Sequence, residues 1–217
     1  MLNSRHYVKI IAGFIVWVSL NLCFTSFALA NSYSGINPKV LSLALKAYNY
    51  AQSQGKVKKK ILVIVDYTIP SSQKRLWVLD LKHHKIISKL HVANGIGSAG
   101  SVPSMATKFS NTPGSRASSL GTYVTKNEYV GKHGDSLRIA GLEKGINNDA
   151  FERTIVIHPA SYVSQSFINK HGYAGRSWGC FAVSPKVSEK LINTIKNGSV
   201  LFAYGPGMNK DPNLKTY

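Results

Sequence analysis

Two side chains in the stretch from Thr154 to Val183 have the chemistry of acyl transfer. His158 ends an apolar β-type run, Ile155-Val156-Ile157. Cys180 closes the turn Arg176-Ser177-Trp178-Gly179-Cys180, which leads straight into Phe181-Ala182-Val183. A thiolate attacks a carbonyl carbon, while an imidazole takes the thiol proton and then serves the leaving and entering amines. Gly179 permits close backbone approach, so the turn it forms with Ser177 is a candidate oxyanion-binding element. Arg176, beside that turn, has the fork geometry for a substrate carboxylate. Arg153 and Arg138 have the same capacity, balanced against structural ion pairing.

The amino terminus reads as a secretory signal peptide. Arg5 and Lys9 precede an apolar stretch, Ile10 to Phe27, and Ala28-Leu29-Ala30 offers a cleavage site before Asn31. The alternative is a retained anchor, because the apolar run approaches the roughly 18 residues needed to span a bilayer. Cleavage would leave 187 residues, ample for one domain with a full core. The expected location is therefore outside the cytoplasm, periplasmic or extracellular.

Export makes the cysteine count informative. Of the two cysteines, Cys23 leaves with the signal and Cys180 remains alone. Structural cysteines pair in oxidising compartments, so an odd thiol points to a reactive group or an intermolecular bridge. Charge is the other signal: +18 for the chain, and +16 without Arg5 and Lys9. That balance favours polyanions. The anionic polymers, lipid surfaces and peptide carboxylates of a bacterial envelope fit an exported protein better than nucleic acid, for which no motif is present.

The elements that must hold the pair are mostly short β-type runs between turns. Ile61–Tyr67, Leu76–Leu81, Ile86–Ala93, Gly121–Val124, Tyr129-Val130, Ser136–Leu142, Thr154–His158 and Val200–Tyr204 are expected strands. Gly95 to Gly114 reads as a long loop. Asn37 caps an expected helix that runs to about Gln54 and ends at Gly55. Shorter helical patterns follow at Tyr162–Lys170 and Pro185–Lys196. The reading is a mainly β domain, a sandwich or barrel, with an N-terminal helix and two or three short helices near the active site. Its parts are a signal at 1–30, a helical segment at 31–56, a catalytic domain at 57–205 and a flexible tail at 206–217.

Several motifs together resemble a known family. Gly175-Arg176-Ser177-Trp178-Gly179-Cys180, Arg75 to Leu81, Ser118 to Gly121, Tyr129 to Gly134, Ser136 to Glu143 and Arg153 to His158 are similar to a divergent, YkuD-like branch of the L,D-transpeptidases. The resemblance covers roughly Ile61 to Gly205. It implies a β-sandwich and the editing or cross-linking of peptidoglycan without metal or organic cofactor. Cys180 would attack the bond between an L-centre residue and a terminal D-alanine in a tetrapeptide stem. The thioester would pass to an amine, giving a 3→3 cross-link, or to water. Inhibition by carbapenems is implied as well. The commoner family motif has histidine where this chain has Trp178, and often asparagine where it has Ala182. Trp178 cannot act as a base, so proton transfer falls to His158, and Trp178 is expected to aim the turn or line a peptide groove. Tyr123, Gly121 and His171 are further candidate groove residues, with Ser119 and His133 considered beside them.

Competing readings are a sortase-like transpeptidase and a wall-binding module of the same fold without strong activity. No arginine follows Arg176, which counts against a sortase, and a papain-like enzyme would place cysteine before histidine. Neither a His-Glu-x-x-His nor a His-x-His pair supports a zinc peptidase.

Overall fold

The computed structural model describes residues 32–208. The expected signal segment and most of the expected tail lie outside them. A leading unit ends at Ile36, and the main body begins at Asn37. Within residues 32–36 the chain makes a turn in which the Ile36 N–H donates to the Tyr33 carbonyl.

Helix α1 (Pro38–Ser53) starts where the sequence predicts. The Asn37 side chain accepts from the Lys39 N–H at 2.9 Å, and Pro38 occupies the first turn. Its buried residues, Val40, Leu41, Ala44, Ala47, Tyr48 and Ala51, recur at helical spacing and form one stripe. That stripe lies on three strands at the centre of the sheet, β1 (Ile61–Asp66), β8 (Val200–Tyr204) and β4 (Gly121–Gly131). These strands are covered on both faces, which explains why β1 and β8 read as near-continuous apolar runs rather than alternating ones.

The remaining strands are β2 (Leu76–Asp80), β3 (Lys85–Leu90), β5 (Gly134–Gly141), β6 (Val156–Pro159) and β7 (Phe181–Val183). All eight form one sheet in the order β3-β2-β1-β8-β4-β5-β6-β7. Most neighbours are antiparallel, while β1 with β8 and β6 with β7 are parallel. The two runs expected at Gly121–Val124 and Tyr129-Val130 are one strand, β4. The exposed Lys126 and Asn127 that interrupt the apolar pattern mark a register shift between Thr125 and Glu128.

The sheet curls until its edges meet. Phe181 of β7, at one edge, has its ring 6.4 Å from that of Tyr67, just after β1, and 5.6 Å from that of Tyr123 on β4. Beyond β3, at the opposite edge, the Ala93 N–H donates to the Ala182 carbonyl of β7 at 2.9 Å, and the Ser177 N–H to the Asn94 carbonyl at 3.0 Å. The segment after β3 therefore seals the open side, and the inner face becomes the core. Two further helices lie late in the chain. Helix α2 (Gln165–His171) follows a single 3-10 turn, Ser161–Val163, and ends on Gly172 in the left-handed region. Helix α3 (Pro185–Ile195) packs on β5 and β6. The mainly β architecture with an N-terminal helix is thus as the sequence predicts.

Candidate active site

His158 and Cys180 come from neighbouring parallel strands. In the β6–β7 register Ile157 faces Phe181 and His158 faces Ala182. Ile157 and Phe181 are fully buried on the inner face. Alternation along each strand sends His158 and Cys180 to the opposite, common face. A strand spacing of ~4.8 Å and a two-residue offset set their backbones diagonally about 8 Å apart, within reach of two side chains pointing together. Both line a cleft of about 710 Å³, with His133, Arg153, Arg176 and Trp178 among its other walls.

The imidazole is held in one tautomer. His158 Nδ1 lies 2.9 Å from the Pro159 carbonyl, so Nδ1–H donates there and the Nε2 lone pair is left for a proton. The ring is only 3 % exposed. Burial pushes its pKa below the ordinary histidine range. The Pro159 bond works against that, and the nearby His133 and Lys132 add to it. His133 stacks on His158 with ring centroids 4.4 Å apart and an interplanar angle of 24°. It is carried there by the β4–β5 hairpin, whose tip also brings Lys132 to the cleft.

The thiol is half-buried and unpaired with any other cysteine. Burial raises its pKa, while the Val156 N–H, Arg153 and Lys132 pull it back. Sγ donates to the Thr154 carbonyl at 3.7 Å. Burial thus works against the charged form of both groups, the thiolate and the imidazolium. Thr154 is unusual. It is β-branched yet sits at φ +55°, a conformation costing about 1–3 kcal/mol. This kink delays strand β6 to Val156, two residues past its expected start, and presents the Thr154 carbonyl to the sulfur.

Ser177 shapes the nucleophile turn. Its Oγ accepts from the Gly179 N–H at 3.1 Å and donates to the Cys180 carbonyl at 2.7 Å. Gly179 sits at φ +116°, and a Cβ there would meet the Ala117 carbonyl and the Ile155 side chain. Glycine is therefore required twice over at this position. Of the turn's N–H groups expected to face an oxyanion, that of Gly179 is bonded to Ser177 Oγ in this structure.

A buried cation braces the turn from behind. Arg75, fully buried, donates through Nε to the Val92 carbonyl, through one terminal nitrogen to the Ile69 carbonyl and through the other to Asn94 Oδ1. The Asn94 carbonyl accepts from the Ser177 N–H. Ser118 Oγ accepts from the Gly95 N–H and donates to the Gly179 carbonyl. Position 95 must also be glycine, since a Cβ would collide with the Arg116 carbonyl and with the Gly179 backbone. Arg75 and Ser118 lie inside motifs visible in the sequence, but no local pattern marks a core arginine as a brace.

The other candidates separate cleanly. Trp178 is 66 % exposed at the cleft, with the Arg116 guanidinium 4.4 Å from its ring centroid. Arg176 is half-buried on the cleft wall and donates to the Pro103 carbonyl at 3.1 Å. Tyr123 is not in the groove. It is fully buried, its hydroxyl bonded to Ser119, because strand alternation turns it to the inner face. Gly121 also lies off the cleft, against the Glu143 carboxylate and the Asn147 amide. His171 ends α2, its ring tilted 30° to that of Phe167 with centroids 4.2 Å apart, and does not line the cleft. Arg153 lines it, but its guanidinium is taken up by the Ser110 and Ala117 carbonyls and the Ser115 hydroxyl, pinning that loop. Arg138 lies 3.9 Å from the Tyr129 ring centroid. Among the described residues, no group of three His, Cys, Asp or Glu could hold a metal ion, and no helix is long and apolar enough to cross a membrane.

Comparison with known proteins follows this geometry. The L,D-transpeptidase catalytic domain family matches residues 32–204, α1 included. No curated protein matches the chain. Among solved structures, an L,D-transpeptidase from Mycobacterium smegmatis is 13 % identical, with a TM-score of 0.41 over 67 % of this chain and 58 % of that one. One from Stackebrandtia nassauensis is 19 % identical, with a TM-score of 0.38 over 77 % and 67 %. One from Xylanimonas cellulosilytica is 14 % identical, with a TM-score of 0.37 over 72 % and 68 %. The chain thus spans little more than half the length of the mycobacterial structure. With the family match covering most of the sequence, this chain belongs to the L,D-transpeptidase catalytic domain family.

Proposed function

We propose that the protein is an exported cysteine L,D-transpeptidase acting on peptidoglycan tetrapeptide stems. The observation that carries this reading is the opening of Cys180 and His158, from adjacent strands and the same sheet face, into one cleft. His158 Nε2 takes the Sγ proton, and the thiolate attacks the carbonyl of the L-centre residue preceding the terminal D-alanine. The C–N bond breaks, and the imidazolium returns its proton to the departing D-alanine amine. An acceptor amine then loses a proton to the same nitrogen as it displaces sulfur from the thioester. A stem side-chain amine gives a 3→3 cross-link, and water gives the tripeptide.

A second reading, a peptidoglycan-binding module of low activity, is favoured by the thiol resting on the Thr154 carbonyl with its pKa raised. One experiment separates them: incubation of the purified protein with disaccharide-tetrapeptide, followed by mass spectrometry. The expected product is a dimer lacking one D-alanine. Tripeptide alone would indicate carboxypeptidase action, and unchanged stem would leave the binding module. Cys180→Ala is expected to abolish turnover while leaving the thermal transition in place. A carbapenem should add its mass to the wild type and not to this variant.

A further inference from the structure

The cleft is electrostatically one-sided. Among the described residues, its lining includes Arg116, Lys132, Arg153 and Arg176, and no aspartate or glutamate. Among the described residues no carboxylate forms a salt bridge with these four cations, and Asp149 acts on Arg153 only through space. The chain has only nine Asp and Glu, and the Lys196–Glu128 ion pair lies off the cleft. Arg153 is spent on backbone carbonyls and cannot serve a ligand as well.

Arg176 and Arg116 differ from it. Arg176 gives one terminal nitrogen to the Pro103 carbonyl, while its Nε is buried without a partner. With one terminal nitrogen bonded, a guanidinium of five N–H donors still has donors to offer a carboxylate. Arg116 is exposed and laid over the ring of Trp178. Its backbone sits at φ +52°, and its carbonyl accepts from the Gly97 N–H at 3.0 Å, so the loop that presents it is held in place. Both guanidiniums belong to residues lining the cleft that holds Cys180, Arg116 over the Trp178 ring and Arg176 5.3 Å from the Tyr173 ring centroid.

We propose that Arg176 and the Arg116–Trp178 pair form a carboxylate-reading subsite that makes the enzyme select stem peptides with free carboxylates over amidated ones. This inference rests on the transpeptidase reading above. The carboxylates in question are the two that a tetrapeptide stem can carry beside its reacting centre. Amidation keeps their shape and removes the charge. It also replaces an acceptor oxygen with an N–H₂ that cannot face a guanidinium donor.

The test compares two otherwise identical disaccharide-tetrapeptides, one with free carboxylates and one with both amidated. Wild-type kcat/KM is expected to be higher for the free acid by roughly tenfold to a hundredfold, the range of one or two charge-assisted bonds. Arg176→Gln and Arg116→Gln should each bring that ratio toward one, and the exposed Arg116 keeps the test readable if Arg176→Gln folds poorly. Equal turnover of the two stems by the wild type, or equal losses on both in the variants, would overturn the proposal alone. Absence of turnover on either stem, with Cys180 unacylated by a carbapenem, would remove the transpeptidase reading and this one with it.

Discussion

At the scale of single residues, the site is decided by which hydrogen bonds are already taken. Ser177 Oγ holds both the Gly179 N–H and the Cys180 carbonyl. Ser177→Ala removes both bonds and is expected to lower stability by about 1–3 kcal/mol, and to lower kcat with it. Thermal unfolding beside single-turnover kinetics checks this, and an unchanged transition would contradict it. Protonation follows from burial. His158 is held below its usual range, so it becomes an effective base as pH rises through a value below 6.5. The acidic limb of kcat/KM should therefore have its midpoint under 6.5, and a midpoint above that value would count against His158 as the base. The same depression means that the unfolded chain binds the proton more readily, so stability falls as pH drops from about 6.5 through the folded value.

Elements set how these residues meet. The β4–β5 hairpin reaches over β6 to lay His133 on His158. Its role is positioning, through the stack and through charge. His133→Ala is expected to lower kcat several-fold, whereas His133→Phe, which keeps a ring, should restore most of it. Both should move the acidic limb upward, because His133 helps hold the His158 pKa down. A merely structural hairpin residue would leave the pH profile in place. The kink at Thr154 makes a separate prediction. Thr154→Asn, which tolerates the left-handed region better, is expected to stabilise the fold by about 0.5–1 kcal/mol. Calorimetry would show a Tm higher by a few degrees, and a lower Tm would refute the strain assignment.

These elements also mark how far the sequence could be read. Apolar runs bounded by turn residues located nearly every strand, and burial on both faces made β1 and β8 the plainest. The helix caps were equally legible at Asn37 and Gly55. The histidine and the cysteine could be picked out because their residue types and flanking turns are local facts. Tyr123 could not be placed, because facing the core or the groove depends on a strand parity fixed by tertiary pairing. Gly121 and His171 failed for a related reason: closeness in sequence to the principals says nothing about the direction in which a loop or helix end points. His133, considered for the groove from the sequence, does reach it, whereas Arg75 and Arg116 act on the site from 64 residues or more before Cys180, with no periodicity to reveal them.

For the whole molecule, the net charge of +18 gathers a long-range field around a cleft that is itself cationic. Added salt should weaken the capture of an anionic stem, raising KM more than it changes kcat, because the Debye length shrinks from ~10 Å at 0.1 M to ~3 Å at 1 M. A salt-independent KM would place recognition in neutral contacts instead. The curl of the sheet has its own result. The Ala93–Ala182 and Asn94–Ser177 bonds join stretches more than 80 residues apart, and the reactive sulfur lies at that seam. Pairing of β6 with β7 brings the imidazole to the sulfur's face of the sheet, while the seam braces the turn that presents the sulfur. Any loosening of the two borders would therefore be passed to the sulfur through the Ser177–Cys180 turn.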